Sequence, residues 1–150
     1  MIKKILVMLL VGSLFGCGYQ PLYLKKKELN YPIKSFELKG DKKINRSIVS
    51  LLNLKGKKNA INGYELILDS KKTLEVISKD KKGDPTSIRM TLMVNLLLSG
   101  DEKIVKKKQF SEDFTYNNNQ NKFELSQYQK NIEMNLINEI TEKIFIFLKL

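Results

Sequence analysis

YELILDSKKTLEVIS (residues 64–78), DKKGDP (80–85) and TSIRMTLMVNLLL (86–98) decide the architecture of this chain. Tyr64, Leu66 and Leu68 alternate with Glu65, Ile67 and Asp69, the two-residue period of a strand. The run resumes through residues 73–78, so Ser70-Lys71-Lys72 is either a bulge inside one strand or a turn between two. The Asp, Gly and Pro residues of 80–85 make the clearest turn in the sequence. Residues 86–98 then read as a strand rich in Leu, Met and Val, with Arg89 inside it.

On the C-terminal side, Ser99-Gly100-Asp101 turns the chain into a further strand over 103–116, marked by Ile104, Lys106, Lys108, Phe110, Phe114 and Tyr116. A polar, Asn-rich loop over 117–122 follows. Leu125, Tyr128, Ile132, Leu136, Ile140 and Ile144 then hold helical spacing, widened by Met134, Ile137 and Phe145, with Ser126 or Glu124 to start the helix. On the N-terminal side, Ile33, Phe36 and Leu38 sit in a short strand closed by Gly40-Asp41. Ile44, Ile48, Leu51 and Leu52 fall on one helical face, with Gly56 as the expected C-terminal cap. The order β-α-β-β-β-α predicts an α+β fold: a four-stranded, mostly antiparallel or mixed sheet with two helices packed on one face. No repeat or linker divides residues 31–150, which read as one domain.

The N-terminus has a different character. Lys3 and Lys4 precede an almost unbroken apolar run over residues 5–15, and Leu14-Phe15-Gly16-Cys17 follows. A bilayer-spanning helix needs about 20 apolar residues, so this run has the length of a signal-peptide core. Gly16 before Cys17, the only cysteine, is the small residue that a lipoprotein signal peptidase requires. A plain secretory signal would need a better small-x-small cut than Ser13-Leu14-Phe15-Gly16, and an uncleaved anchor a longer apolar run. The expectation is a signal peptide over 1–16, a diacylglycerol and an N-acyl chain on Cys17, and a lipidated tether over 17–30. Such chains give effectively permanent attachment, since each buried CH₂ contributes about 0.8 kcal/mol. Gly18 rather than Asp after the cysteine favours the outer membrane over retention in the inner one.

Composition narrows the chemistry. The formal charge is +11, and +9 once Lys3 and Lys4 leave with the signal. Such a surplus suits an anionic partner, although Lys, Asn and Ile are all abundant, as in translations of AT-rich genomes. Nucleic acid is not expected, because the basic positions lack interleaved aromatics. There is no histidine, and the one thiol is committed to lipid. That removes the usual general base, the Cys/His nucleophile pairs and the common zinc ligand sets. P-loop, nucleophile-elbow and dinucleotide motifs are missing too. A carboxylate pair among Glu65, Asp69, Glu75 and Asp80 would have to form from residues in turns or on the polar side of strands. The expectation is a binding or assembly protein, not an enzyme, with no metal and no cofactor beyond its acyl chains.

Cys17-Gly18-Tyr19-Gln20-Pro21-Leu22-Tyr23 resembles the mature start of the LptE family of lipopolysaccharide-assembly lipoproteins, Cys-Gly-(Phe/Tyr)-x-(Pro/Leu)-(Leu/Arg)-Tyr. The β-α-β-β-β-α order is similar to that family's two helices on a four-stranded sheet. Asp84-Pro85-Thr86-Ser87-Ile88-Arg89-Met90-Thr91-Leu92 resembles its third-strand region, and Phe114-Thr115-Tyr116-Asn117 fits the approach to its last helix. The resemblance implies a lipid-anchored protein on the periplasmic side of the outer membrane. It would plug an LptD-type β-barrel and help bind and insert lipopolysaccharide. Lipopolysaccharide carries clustered phosphates, which Arg engages in bidentate fashion and Lys as a point charge. By match to the family's basic position, the expected lipopolysaccharide contact is Arg89, one of two arginines among 27 basic residues. Lys81 and Lys82 in the adjoining turn come next, with Lys106, Lys107 and Lys108 as weaker choices. The competing readings are a pilotin-like scaffold lipoprotein that docks another protein complex, and an envelope hydrolase, which the missing histidine disfavours.

Overall fold

The computed structural model describes residues 32–56, 63–100, 103–119 and 121–150. The signal peptide, Cys17, the tether over 17–30 and the first residue of the domain lie outside the described residues. Six elements follow in order: β1 (Ile33–Gly40), α1 (Lys42–Leu51), β2 (Tyr64–Lys79), β3 (Pro85–Gly100), β4 (Lys103–Asn117) and α2 (Lys122–Lys149). The strands form one mixed sheet in sequence order, with β1 and β2 parallel and the two long hairpins antiparallel. The expected β-α-β-β-β-α order and mixed four-stranded sheet are what the chain adopts.

Strand parity divides the molecule. Leu66, Leu68 and Ser70 of β2 are buried, as are Met90, Leu92, Val94, Leu96 and Leu98 of β3 and Phe110 and Tyr116 of β4. All are even-numbered, so one face of the sheet lies under the helices and the odd-numbered face is left open. Ile44 and Ile48 of α1 meet this face, as do Ile132, Leu136, Ile137, Ile140, Ile144 and Leu148 of α2. Tyr128 and Met134 depart from the expected stripe and are 47% and 45% exposed. Met134 lies two residues from Ile132, about 200° around the helix, and so points away from the sheet.

Ser70-Lys71-Lys72 is neither bulge nor turn: β2 runs unbroken for 16 residues, and its pairing with β3 keeps register until Val76. The turn over 80–84 forms as expected. Asp80 Oδ1 accepts from the backbone N–H of Lys82 and Asp84, and Gly83 supplies a φ of 91°. Gly56 does not cap α1. The helix closes at Leu52, and Asn53 takes the left-handed φ of 50° there, a conformation that asparagine tolerates better than most residues. α2 starts earlier than Ser126 or Glu124, because the Oδ1 of Asn121 accepts from the N–H groups of Phe123 and Glu124.

β1 ends where it must. Gly40, at φ 69°, turns the chain out of the sheet, and Asp41 caps α1 by accepting from the N–H groups of Lys43 and Ile44. Asp41 N–H donates to the Ser70 carbonyl at 2.9 Å, so the last contact of β1 falls near the middle of β2. Among the described residues, no strand pairs with the second half of β2 on that side.

Candidate functional site

The basic residues singled out from sequence occupy three separate places. Arg89 lies on the open face of β3, between Glu75 on β2 and Thr115 on β4. Its Nε donates to Thr115 Oγ1 at 3.3 Å and stands 3.6 Å from Asp113 Oδ2. An anion reaching Arg89 therefore also meets Glu75 and Asp113, and the guanidinium competes with built-in partners. A phosphate gains less from such a group than from an isolated arginine.

Lys81 and Lys82 sit at the tip of the β2–β3 hairpin, both exposed, with Asp80 and Asp84 beside them. Pro85 is four residues before Arg89, roughly 13 Å along the strand at about 3.3 Å per residue. This end of the sheet thus holds Arg89 and the two turn lysines within one hairpin.

Lys106 and Lys108 are at the other end and on the other face. Lys106 Nζ donates to the carbonyls of Phe147 at 3.0 Å and Leu148 at 3.2 Å, satisfying the last turn of α2 where the helix dipole is negative. Lys108 Nζ stands 5.4 Å from the Phe110 ring centre and 5.3 Å from that of Phe147, a cation–π arrangement. Lys107 points the opposite way, beside a shallow depression of about 300 Å³ on the open face that Lys39, Ile67, Asn95 and Leu97 also line. Lys108 pairs with Leu96 and Thr115 with Arg89, seven residues apart on β4. That separation is roughly 23 Å at about 3.3 Å per residue. The six expected contacts do not converge on one site.

A cluster absent from the sequence reading lies under α1. Glu133 of α2 is buried, yet its Oε1 accepts from Lys43 Nζ at 2.9 Å and its Oε2 from Lys72 Nζ at 2.6 Å. Burial pushes this carboxyl up, but the two lysine hydrogen bonds and their charges outweigh it and hold the group below its ordinary value. The hydrogen bond and charge of Glu133 raise the Lys43 ammonium above its usual range, against the smaller effect of its own desolvation. With both oxygens engaged, Glu133 ties α1, β2 and α2 together and is not arranged as a general base. The signal was present: Glu133 adjoins Ile132 in the buried helical stripe, and Lys72 occupies a helix-facing position of β2.

Among the described residues no three His, Cys, Asp or Glu side chains come together as a metal site, and no helix is long and apolar enough to cross a membrane. No family profile matches the sequence, and no curated protein matches it. Solved structures do. A minor lipoprotein from Acinetobacter baumannii superimposes with a TM-score of 0.61 at 12% identity, over 82% of this chain and 90% of its own. An uncharacterized lipoprotein B from Nitrosomonas europaea gives 0.58 at 8% identity, over 86% and 88%. Rare lipoprotein B from Shewanella oneidensis gives 0.54 at 14% identity, over 73% and 92%. At these identities the likeness establishes a shared fold.

Proposed function

We propose that this chain is an envelope lipoprotein, anchored through Cys17 at the periplasmic side of the outer membrane. There it plugs and supports an LptD-type β-barrel and helps insert lipopolysaccharide. The observation that carries the reading is a coincidence of two independent features. The fold is one it shares, over most of both chains, with proteins described as lipoproteins. The sequence separately opens with the lipidation motif and the LptE-like run 17–23. The charged open face of the sheet suits a domain enclosed by a polar barrel lumen. We assign it a role in binding and assembly, without catalysis or a cofactor. Mild detergent extraction of the full-length lipidated protein, followed by mass spectrometry, tests the partner. A stoichiometric outer-membrane β-barrel is the expected result. Its absence, with the protein still in the outer membrane, would favour the scaffold role.

For lipopolysaccharide, the hairpin end with Arg89, Lys81 and Lys82 is the better candidate, since Lys106 and Lys108 already serve the end of α2. Arg89→Glu would place a third carboxylate beside Glu75 and Asp113. We expect it to weaken lipopolysaccharide binding about tenfold, equivalent to about 1.4 kcal/mol, in a fluorescent-displacement titration. The side chain is 44% exposed, so the melting temperature should move little. Binding unchanged in a folded variant would exclude this residue as the contact.

A further inference from the structure

β2 is twice as long as β1: 16 residues against 8. β1 pairs with β2 only as far as Ser70, where Gly40 and Asp41 lead the chain away into α1. Among the described residues, 71–79 of β2 are therefore bonded to β3 on one side and have no strand on the other. Which groups face outward follows from alternation. The Ser70 carbonyl accepts from Asp41 on the β1 side, so the N–H and C=O of residues 72, 74 and 76 point the same way, into solvent. The side chains at these positions face the helix side; Lys72 reaches Glu133 of α2, but Leu74 and Val76 lie outside the helix's cover. Leu74 is 53% exposed and Val76 43%.

A free edge with unpaired backbone groups and exposed apolar side chains is a template for strand addition, which folded proteins normally block. No proline or bulge interrupts this edge between residues 71 and 76, and the register with β3 slips only after Val76. Its flanks are basic: Lys71 at one end, beside Lys72, which is held by Glu133, and Lys79, Lys81 and Lys82 at the other. A second copy is a poor occupant. Antiparallel pairing over all nine residues would set Lys71 opposite Lys79 twice and Glu75 opposite itself. The formal charge of +9 on each chain without Lys3 and Lys4 adds repulsion.

We propose that residues 71–79 of β2 bind an extended strand of another protein, whose apolar side chains lie against Leu74 and Val76 and whose ends carry carboxylates for the flanking lysines. Backbone bonds to residues 72, 74 and 76 supply the pairing, and the basic ends select the partner. This site is separate from the glycolipid contact and does not depend on it.

The test uses the full chain in detergent and the fluorescent peptide acetyl-EVTVTVTVE-amide as a probe, whose valines fall beside Leu74 and Val76 when its glutamates lie opposite Lys71 and Lys79. Saturable binding is expected, with slowed amide exchange at Lys72, Leu74 and Val76. Leu74→Pro removes one outward donor while leaving the β3 ladder intact, and should weaken binding at least about tenfold. If that variant does not fold, the doubly substituted Lys71→Glu, Lys79→Glu protein serves instead. It should lose affinity for this probe and gain it for acetyl-KVTVTVTVK-amide. The proposal is overturned by equal binding of a backbone-N-methylated probe, or by unchanged exchange at the three amides. A concentration-dependent dimer that protects those amides without peptide would overturn it too, by making a second copy the occupant.

Discussion

Gly40→Ala should lower the unfolding free energy by about 3 kcal/mol or more, a large fraction of a small domain's stability. Two effects combine at this position. A left-handed φ of 69° costs a residue with a Cβ about 1–2 kcal/mol. The added carbon would also stand 2.0 Å from the Ser70 carbonyl oxygen and 2.9 Å from Asp69 Oδ1. The first of these is backbone, so relief requires parting β1 from β2. That movement strains the bonds that join the strand end to α1: Asp41 N–H to the Ser70 carbonyl, Ser70 Oγ–H to the Asp41 carbonyl at 2.9 Å, and Asn45 Nδ2–H to the Lys39 carbonyl at 2.6 Å. Gly83→Ala is the comparison. Its φ is 91°, but nothing lies within 4 Å of the added carbon, so only the conformational cost of about 1–2 kcal/mol applies. Urea unfolding of both variants separates the effects, and equal losses would remove the steric argument.

The strands and helices were legible because their periods differ: alternation over residues 64–68 and helical spacing from Leu125 to Ile144 admit few other readings. The ends were harder, since several residues compete for each. The loop before α2 offers Asn117, Asn118, Asn119 and Asn121, and only geometry shows that Asn121 caps the helix while Asn119 Oδ1 accepts from its N–H. Lys106 shows a different limit. It shares parity with Phe110, which already placed it on the core side of β4, where a lysine snorkels or finds acceptors. Arg89, with odd parity, was bound for the opposite face. Parity alone therefore separated Arg89 from Lys106 and Lys108, but grouping the residues by charge concealed it. The free edge of β2 was half visible, because one strand was plainly longer than its parallel neighbour. Where β1 would stop depended on Gly40 meeting Ser70, a long-range contact that no local pattern encodes.

Glu133→Gln should cost about 2 kcal/mol at neutral pH, within the range for removing a charged hydrogen-bond acceptor from two donors. The penalty is held down by the partners: the Lys43 and Lys72 side chains are 71% and 34% exposed, so both ammonium groups can turn back to water. The pH dependence identifies charge as the cause. Glu133 titrates below its ordinary value in the folded protein, so its contribution is complete above the unfolded-state pKa of about 4.3. That contribution is lost as pH falls through the lower, folded value. At the alkaline end the sign reverses. Lys43 is raised in the folded state, so its share is present below the ordinary lysine pKa and fades as pH rises through the folded one. Denaturant titrations of the wild type and Glu133→Gln from pH 7 to pH 2 should show a gap that closes with acid. A gap of constant size would mean that Glu133 holds α1, β2 and α2 by its shape, with its charge contributing nothing.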